Sequence, residues 1–105
     1  MTIETSLIGL IRNALRISNT SEAITAEITN SITACLLDLK AQGVQNLDQT
    51  DGLIIRAVTL FCRSEFNFNG KAEQYRQSYD LQKMSLALDV DYNTPVTPAQ
   101  TESEG

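Results

Sequence analysis

The stretch Asp51-Gly52-Leu53-Ile54-Ile55-Arg56-Ala57-Val58-Thr59-Leu60-Phe61-Cys62-Arg63-Ser64-Glu65-Phe66-Asn67-Phe68 decides the fold. Wound at about 100° per residue, its apolar side chains cover well over half of a helical circumference. These are Leu53, Ile54, Ala57, Val58, Leu60, Phe61, Cys62, Phe66 and Phe68. Arg56, Thr59, Arg63 and Asn67 share the one narrow polar strip. A helix that is apolar nearly all round has to be enclosed by others, so this segment is the central helix of an all-α bundle. Asp48, Thr50 or Asp51 can cap its start, because each side chain can accept a bond from an orphan N–H of the first turn.

The neighbours read outward from there. Asn69-Gly70 breaks the pattern, and a fourth helix follows over about Lys71–Asp89. It is apolar on two sides. Tyr75, Tyr79 and Leu86 fall on one face, and Leu81, Met84 and Leu88 fall nearly opposite. One row can serve the domain's own core; the other needs a second surface. Upstream, a second helix spans about Ser21–Gln42, with Ile24, Ile28, Ile32, Cys35, Leu36 and Leu39 in a continuous stripe. Gly43 is its expected left-handed stop. A first helix spans about Thr2–Ile17, with Ile3, Leu7, Leu10, Ile11, Ala14 and Leu15 on one face and Ser18-Asn19-Thr20-Ser21 as the turn after it. Val44–Thr50 is a loop anchored by Leu47. The expected fold is a compact bundle of about four helices over residues 1–92, with 93–105 a flexible acidic C-terminal tail; Val90 already begins to read as tail.

Composition narrows the function. The chain has 105 residues, the size of one domain, with 42% hydrophobic residues and a net charge of −5. Through Lys83 the charges nearly balance; Asp89, Asp91, Glu102 and Glu104 supply most of the excess. Acids match or exceed bases throughout, against a protein held to nucleic acid by neutralising phosphates. The chain has no histidine, which excludes histidine triads and histidine metal sites. Cys35 and Cys62 lie on the apolar sides of their helices with no zinc spacing, and read as buried small hydrophobes. No phosphate loop or calcium loop is present, and no apolar run reaches the roughly 18 residues of a membrane span. No catalytic, cofactor-binding or metal site is expected. A reducing cytoplasm is the expected setting.

Seven residues remain as candidates for an interface. Leu81, Met84 and Leu88, or alternatively Tyr75 and Tyr79, can cover a neighbouring subunit or another partner. Arg56 and Arg63, two turns apart on the polar strip, suit pairing with acids within the domain or across a subunit boundary, since a guanidinium binds a carboxylate in bidentate fashion.

Several short words stand in a telling order: Leu15-Arg16-Ile17; Ala26-Glu27-Ile28; Asp38-Leu39 and Gly43-Val44; the run from Asp51 to Phe66; and Tyr79-Asp80-Leu81-Gln82-Lys83-Met84-Ser85-Leu86-Ala87-Leu88. Over about residues 3–92 the chain resembles the small all-helical head–tail connector proteins of tailed bacteriophages and prophages, also called head-completion or DNA-packaging adaptor proteins. The resemblance implies a structural protein without enzymatic chemistry. It implies a ring of about twelve copies beneath the portal protein, docking to a downstream stopper or tail-completion protein. DNA would pass through without sequence-specific binding, and no membrane is involved. The place would be the virion head–tail junction, reached from the host cytoplasm during assembly. The residues alone leave open a small cytoplasmic helical adaptor or regulatory protein that binds a protein partner in a groove.

Overall fold

The computed structural model describes residues 1–95. Its main helices are α1 (Thr5–Ala14), α2 (Glu22–Ala41), α3 (Gly52–Glu65) and α4 (Ala72–Leu88), followed by a single turn, α5 (Val90–Asn93). A 3-10 turn, Phe68–Gly70, separates α3 from α4. The all-α expectation holds, and each main helix starts or ends where local chemistry stops it.

Ser21 caps α2 by accepting the Ile24 N–H at 3.3 Å. Of the candidate caps for α3, Asp51 does the work, accepting Leu53 N–H at 2.8 Å. Asp48 instead closes the preceding turn on Thr50, whose N–H donates at 2.8 Å. Gly43 ends α2 at φ +105°, with Val44 N–H returning to the Leu39 carbonyl at 3.0 Å. That is the Schellman closure for which a left-handed glycine is suited. Within α2, the Thr29 and Thr33 hydroxyls donate to carbonyls one turn back at 2.8 and 2.9 Å, which satisfies them inside the helix, and the buried stripe Ile28, Ile32, Cys35, Leu36 and Leu39 holds this threonine-rich segment by packing.

The first helix closes the same way without a glycine. Ile17 N–H donates to Arg12 O at 3.1 Å and Arg16 N–H to Asn13 O at 3.0 Å, so Arg16 occupies the left-handed position at φ +58°. A side chain there carries a steric cost that glycine avoids. Arg16 is exposed. Arg16→Gly is therefore expected to stabilise the domain by about 0.5–1 kcal/mol, raising Tm by roughly 3–6 °C. Thermal unfolding followed by circular dichroism measures this; an unchanged or lower Tm would show that the arginine makes a compensating contact.

Contacts between chain ends give the topology. Gln49 accepts Glu4 N–H at 2.8 Å, while Arg63 reaches the Ala14 carbonyl at 3.1 Å, so α1 and α3 run parallel. Arg76 near the start of α4 meets Glu65 at the end of α3, and Tyr92 beyond α4 bonds Asp51 at the start of α3. Successive helices thus alternate in direction. As its apolar circumference requires, α3 packs against α1, α2 and α4 and is the hub. The core gathers Leu7, Ile11, Ile28, Ile32, Leu36, Leu39, Ile54, Val58, Phe61, Tyr79 and Leu86.

Three expectations need correction. Leu10, assigned to the buried face of α1, is exposed, because the core-facing arc is narrower and centres on Leu7 and Ile11. The helix expected to run to Phe68 stops at Glu65, where Asn67 turns left-handed at φ +50°. The tail was expected from residue 93, with Val90 already reading as tail; instead Val90–Asn93 form α5. The Tyr92 carbonyl accepts Gln45 N–H at 2.7 Å, and Asn93 Nδ2 donates to Ala87 O at 2.9 Å, fixing α5 under the bundle. The remainder of the expected tail, 96–105, lies outside the described residues.

Candidate assembly surface

The two apolar rows of the fourth helix face opposite ways, one into the core and one into solvent. Tyr79 and Leu86 are fully buried and Tyr75 is half-buried against Phe68, with ring centroids 6.1 Å apart. On the far side, Leu81, Met84 and Leu88 are 68%, 58% and 78% exposed. Their spacing of three and four residues makes a single ridge. The charged side chains of α4 lie on one flank of that ridge, as Glu73, Arg76, Asp80 and Lys83; the other flank is Gln74, Ser78, Gln82 and Ser85. A groove of about 360 Å³ runs beside the ridge between Gln42, just past the end of α2, and Asp80, Lys83, Met84, Ala87 and Leu88. Val90, also exposed, extends the apolar surface past the helix end. Its exposure was hidden from sequence reading, which assigned it to a tail.

Tyr79 does not belong to this surface. The expectation that it could cover a neighbour is corrected by its burial: its ring meets Phe61 edge-on at 5.1 Å. Its hydroxyl donates to Asp38 Oδ2 at 2.6 Å. Lys83 Nζ reaches the same oxygen at 3.0 Å. Burial raises the Asp38 carboxyl, but the bonds from Tyr79 and Lys83 outweigh it and hold the group below the usual carboxylate range. Asp38, Tyr79 and Lys83 therefore form a polar tie between α2 and α4. The tyrosine pattern fitted core and interface equally; the carboxylate waiting on another helix was not visible in it.

Arg63 is also an internal residue. Its guanidinium donates to the Ala14 carbonyl through Nε at 3.3 Å and Nη2 at 3.1 Å, and lies 4.8 Å from the centre of the Phe68 ring. It thus caps the carboxyl end of α1, where a cation is favoured, and stacks on an aromatic face. The expected pairing with an acid is not made: among the described residues neither Arg63 nor Arg56 joins a salt bridge. Arg56 is exposed. The ion pair that does form on this side, Arg76 with Glu65 at 2.6 Å, lay outside the sequence reading.

The thiols offer no chemistry at this surface. Cys35 and Cys62 are free and buried. Burial pushes the Cys35 thiol far up, and desolvation raises Cys62 to about 11, so both stay protonated near neutrality. Among the described residues no cluster of potential metal ligands forms, and no helix is long and apolar enough to cross a membrane. The arrangement suits covering by another protein surface: an apolar ridge, one uncharged flank and a charged edge.

A protein-family model described as phage connector protein matches residues 7–93. The match takes in all four main helices from the middle of the first turn of α1 to the end of α5. No curated protein and no solved structure matches the chain.

Proposed function

The chain belongs to the phage connector protein family, and on that premise we propose that it is a structural subunit of the head–tail junction of a tailed phage or prophage. Copies assemble as a closed ring beneath the portal protein, extend the DNA channel and present a docking surface to the next stopper or tail-completion component. Membership of the family implies no enzymatic activity.

The observation that carries this reading is the outer row of α4. Leu81, Met84 and Leu88 stay wet in a single copy although the same helix already fills its place in the core. An apolar ridge on an otherwise well-packed small domain marks a protein contact. A ring made of identical subunits repeats a head-to-tail contact between two different patches, so one exposed ridge supplies one half of it. The mild acidity of the chain, −5 overall, also suits a conduit, since a basic wall would retain DNA.

The test is co-expression of this chain with the portal protein encoded by the same phage or prophage, followed by gradient sedimentation and electron microscopy. The expected result is a portal particle carrying an extra ring of this chain. Portal recovered bare, with this chain sedimenting alone, would overturn the proposal.

A further inference from the structure

We infer that residues 96–105 dock back onto the outer side of α3 in the same copy, with Glu102 and Glu104 beside Arg56. The inference concerns the single copy and does not depend on the ring proposed above.

The receiving face is defined by what encloses α3. Ile54, Ala57, Val58, Phe61, Cys62 and Ser64 are buried. Leu53, Arg56, Leu60 and Arg63 fall on the other side of the helix and keep contact with solvent. This side lies between α1 and α4, because Arg63 bonds the Ala14 carbonyl of α1 and lies 5.6 Å from the centre of the Tyr75 ring of α4. Both flanking helices pack on α3 more closely than on each other. Leu53 is 44% exposed, and Leu10, one turn before Ala14, is 49% exposed.

The charge of the face is one-sided. Arg56 is exposed, and neither it nor Arg63 has an ion pair among the described residues. The flanking helices turn their own charges the other way, toward α2: Arg12 of α1 meets Thr25 at 2.6 Å, and Lys83 of α4 meets Asp38 at 3.0 Å. On the side of α4 that carries Tyr75, Ser78 and Gln82 are uncharged. Asp51 stands at the foot of the face, its carboxylate held by the Leu53 N–H and the Tyr92 hydroxyl. An open guanidinium between apolar side chains suits an acidic segment that also carries apolar residues.

The chain's own continuation has that composition. Val96, Pro98 and Ala99 precede Glu102 and Glu104, and no basic residue follows Lys83. It also begins in the right place. Tyr92 bonds Asp51 at 3.0 Å, so the chain leaves the described residues at the end of the bundle where α3 starts. Arg56 lies about 7.5 Å along the helix from Asp51, at 1.5 Å per residue. From Pro95 to Glu102 an extended chain spans about 23 Å, at roughly 3.3 Å per residue, which brings both acids within reach of Arg56 and carries Val96, Pro98 and Ala99 past Leu53. A tether this short holds the acids at an effective concentration on the order of millimolar, so even a weak contact is populated within one copy.

The test is paramagnetic broadening in the full chain, with a nitroxide on Ser103→Cys; Cys35 and Cys62 are free but buried. In dilute, 15N-enriched protein the amides of Leu53, Arg56 and Leu60 are expected to lose more than about half their intensity, while Leu37, exposed on α2, keeps its own. Adding Arg56→Glu is expected to cut the broadening at least about threefold, and Glu102→Arg with Glu104→Arg in that background to restore most of it. Broadening spread evenly over the surface, centred on the α4 ridge, or indifferent to Arg56→Glu would overturn the inference. Unenriched chain bearing the nitroxide, mixed with enriched chain lacking it, is expected to broaden nothing. Broadening of the α3 face in that mixture would assign the segment to a neighbouring copy and overturn docking within one.

Discussion

Met84→Asp is expected to give a folded chain that no longer joins copies of itself. Met84 is 58% exposed and its neighbours on the ridge are also in solvent, so a carboxylate there costs the isolated domain little, within about 0.5 kcal/mol. In the assembled state the same carboxylate is driven into an apolar contact with no cation designed to receive it. Loss of the apolar contact and burial of an unpaired charge act together, and each subunit contact is expected to weaken by about a hundredfold or more. In a closed ring every subunit carries the defect twice, once through its own ridge and once through its neighbour's. Light scattering or native mass spectrometry against a wild-type control reads the outcome, with circular dichroism to verify the fold. Rings of undiminished size would remove the ridge from the interface and leave family membership as the support for assembly.

The ridge was legible in the sequence because helical spacing is a strong signal when a helix is apolar on two opposite sides. Tyr79 and Leu86 face the core while Leu81, Met84 and Leu88 face water, as the spacing required. The hub role of α3 was equally legible, since a helix apolar around most of its circumference has only one place in a bundle. What could not be read were relations between helices. The periodicity of Tyr75 and Tyr79 is satisfied by core or interface, and only the third dimension brings Asp38 within 2.6 Å of one phenol. Arg63 was expected to find a carboxylate, but the partner in reach is a helix-end carbonyl, a group that every residue owns and no sequence pattern marks. Val90–Asn93 looked like tail because a single turn is too short to show periodicity; it is held by main-chain and side-chain bonds to Gln45, Asn46, Asp51 and Ala87.

The largest effect on stability is expected at Tyr79. The side chain is fully buried, meets Phe61 edge-on, and its hydroxyl bonds Asp38 with Cys35 Sγ 3.8 Å away, so one residue of α4 ties together α2 and α3. Tyr79→Ala removes an aromatic ring from a core with little room to collapse, at a cost of about 3–5 kcal/mol. For a domain of this size that lowers Tm by roughly 15–25 °C and brings the fold close to the limit of its stability. Tyr79→Phe keeps the ring and removes one bond. Asp38 retains Lys83 and is partly open to water, so the cost is about 1 kcal/mol. The two variants also differ in acid. The Asp38 carboxyl is held below its ordinary value in the folded chain. Its contribution is complete above the unfolded-state pKa of about 3.9, and is lost as pH falls through the lower folded value. Wild type should therefore lose stability from about pH 4 downward, and Tyr79→Phe should lose less over that range because one of the two bonds holding the carboxylate ionised is gone. Urea unfolding at neutral pH and at pH 3 measures both effects. Equal destabilisation by Ala and Phe at neutral pH would place the stabilisation in the hydroxyl rather than the ring, and an unchanged acid loss in Tyr79→Phe would show that Lys83 alone holds Asp38 ionised.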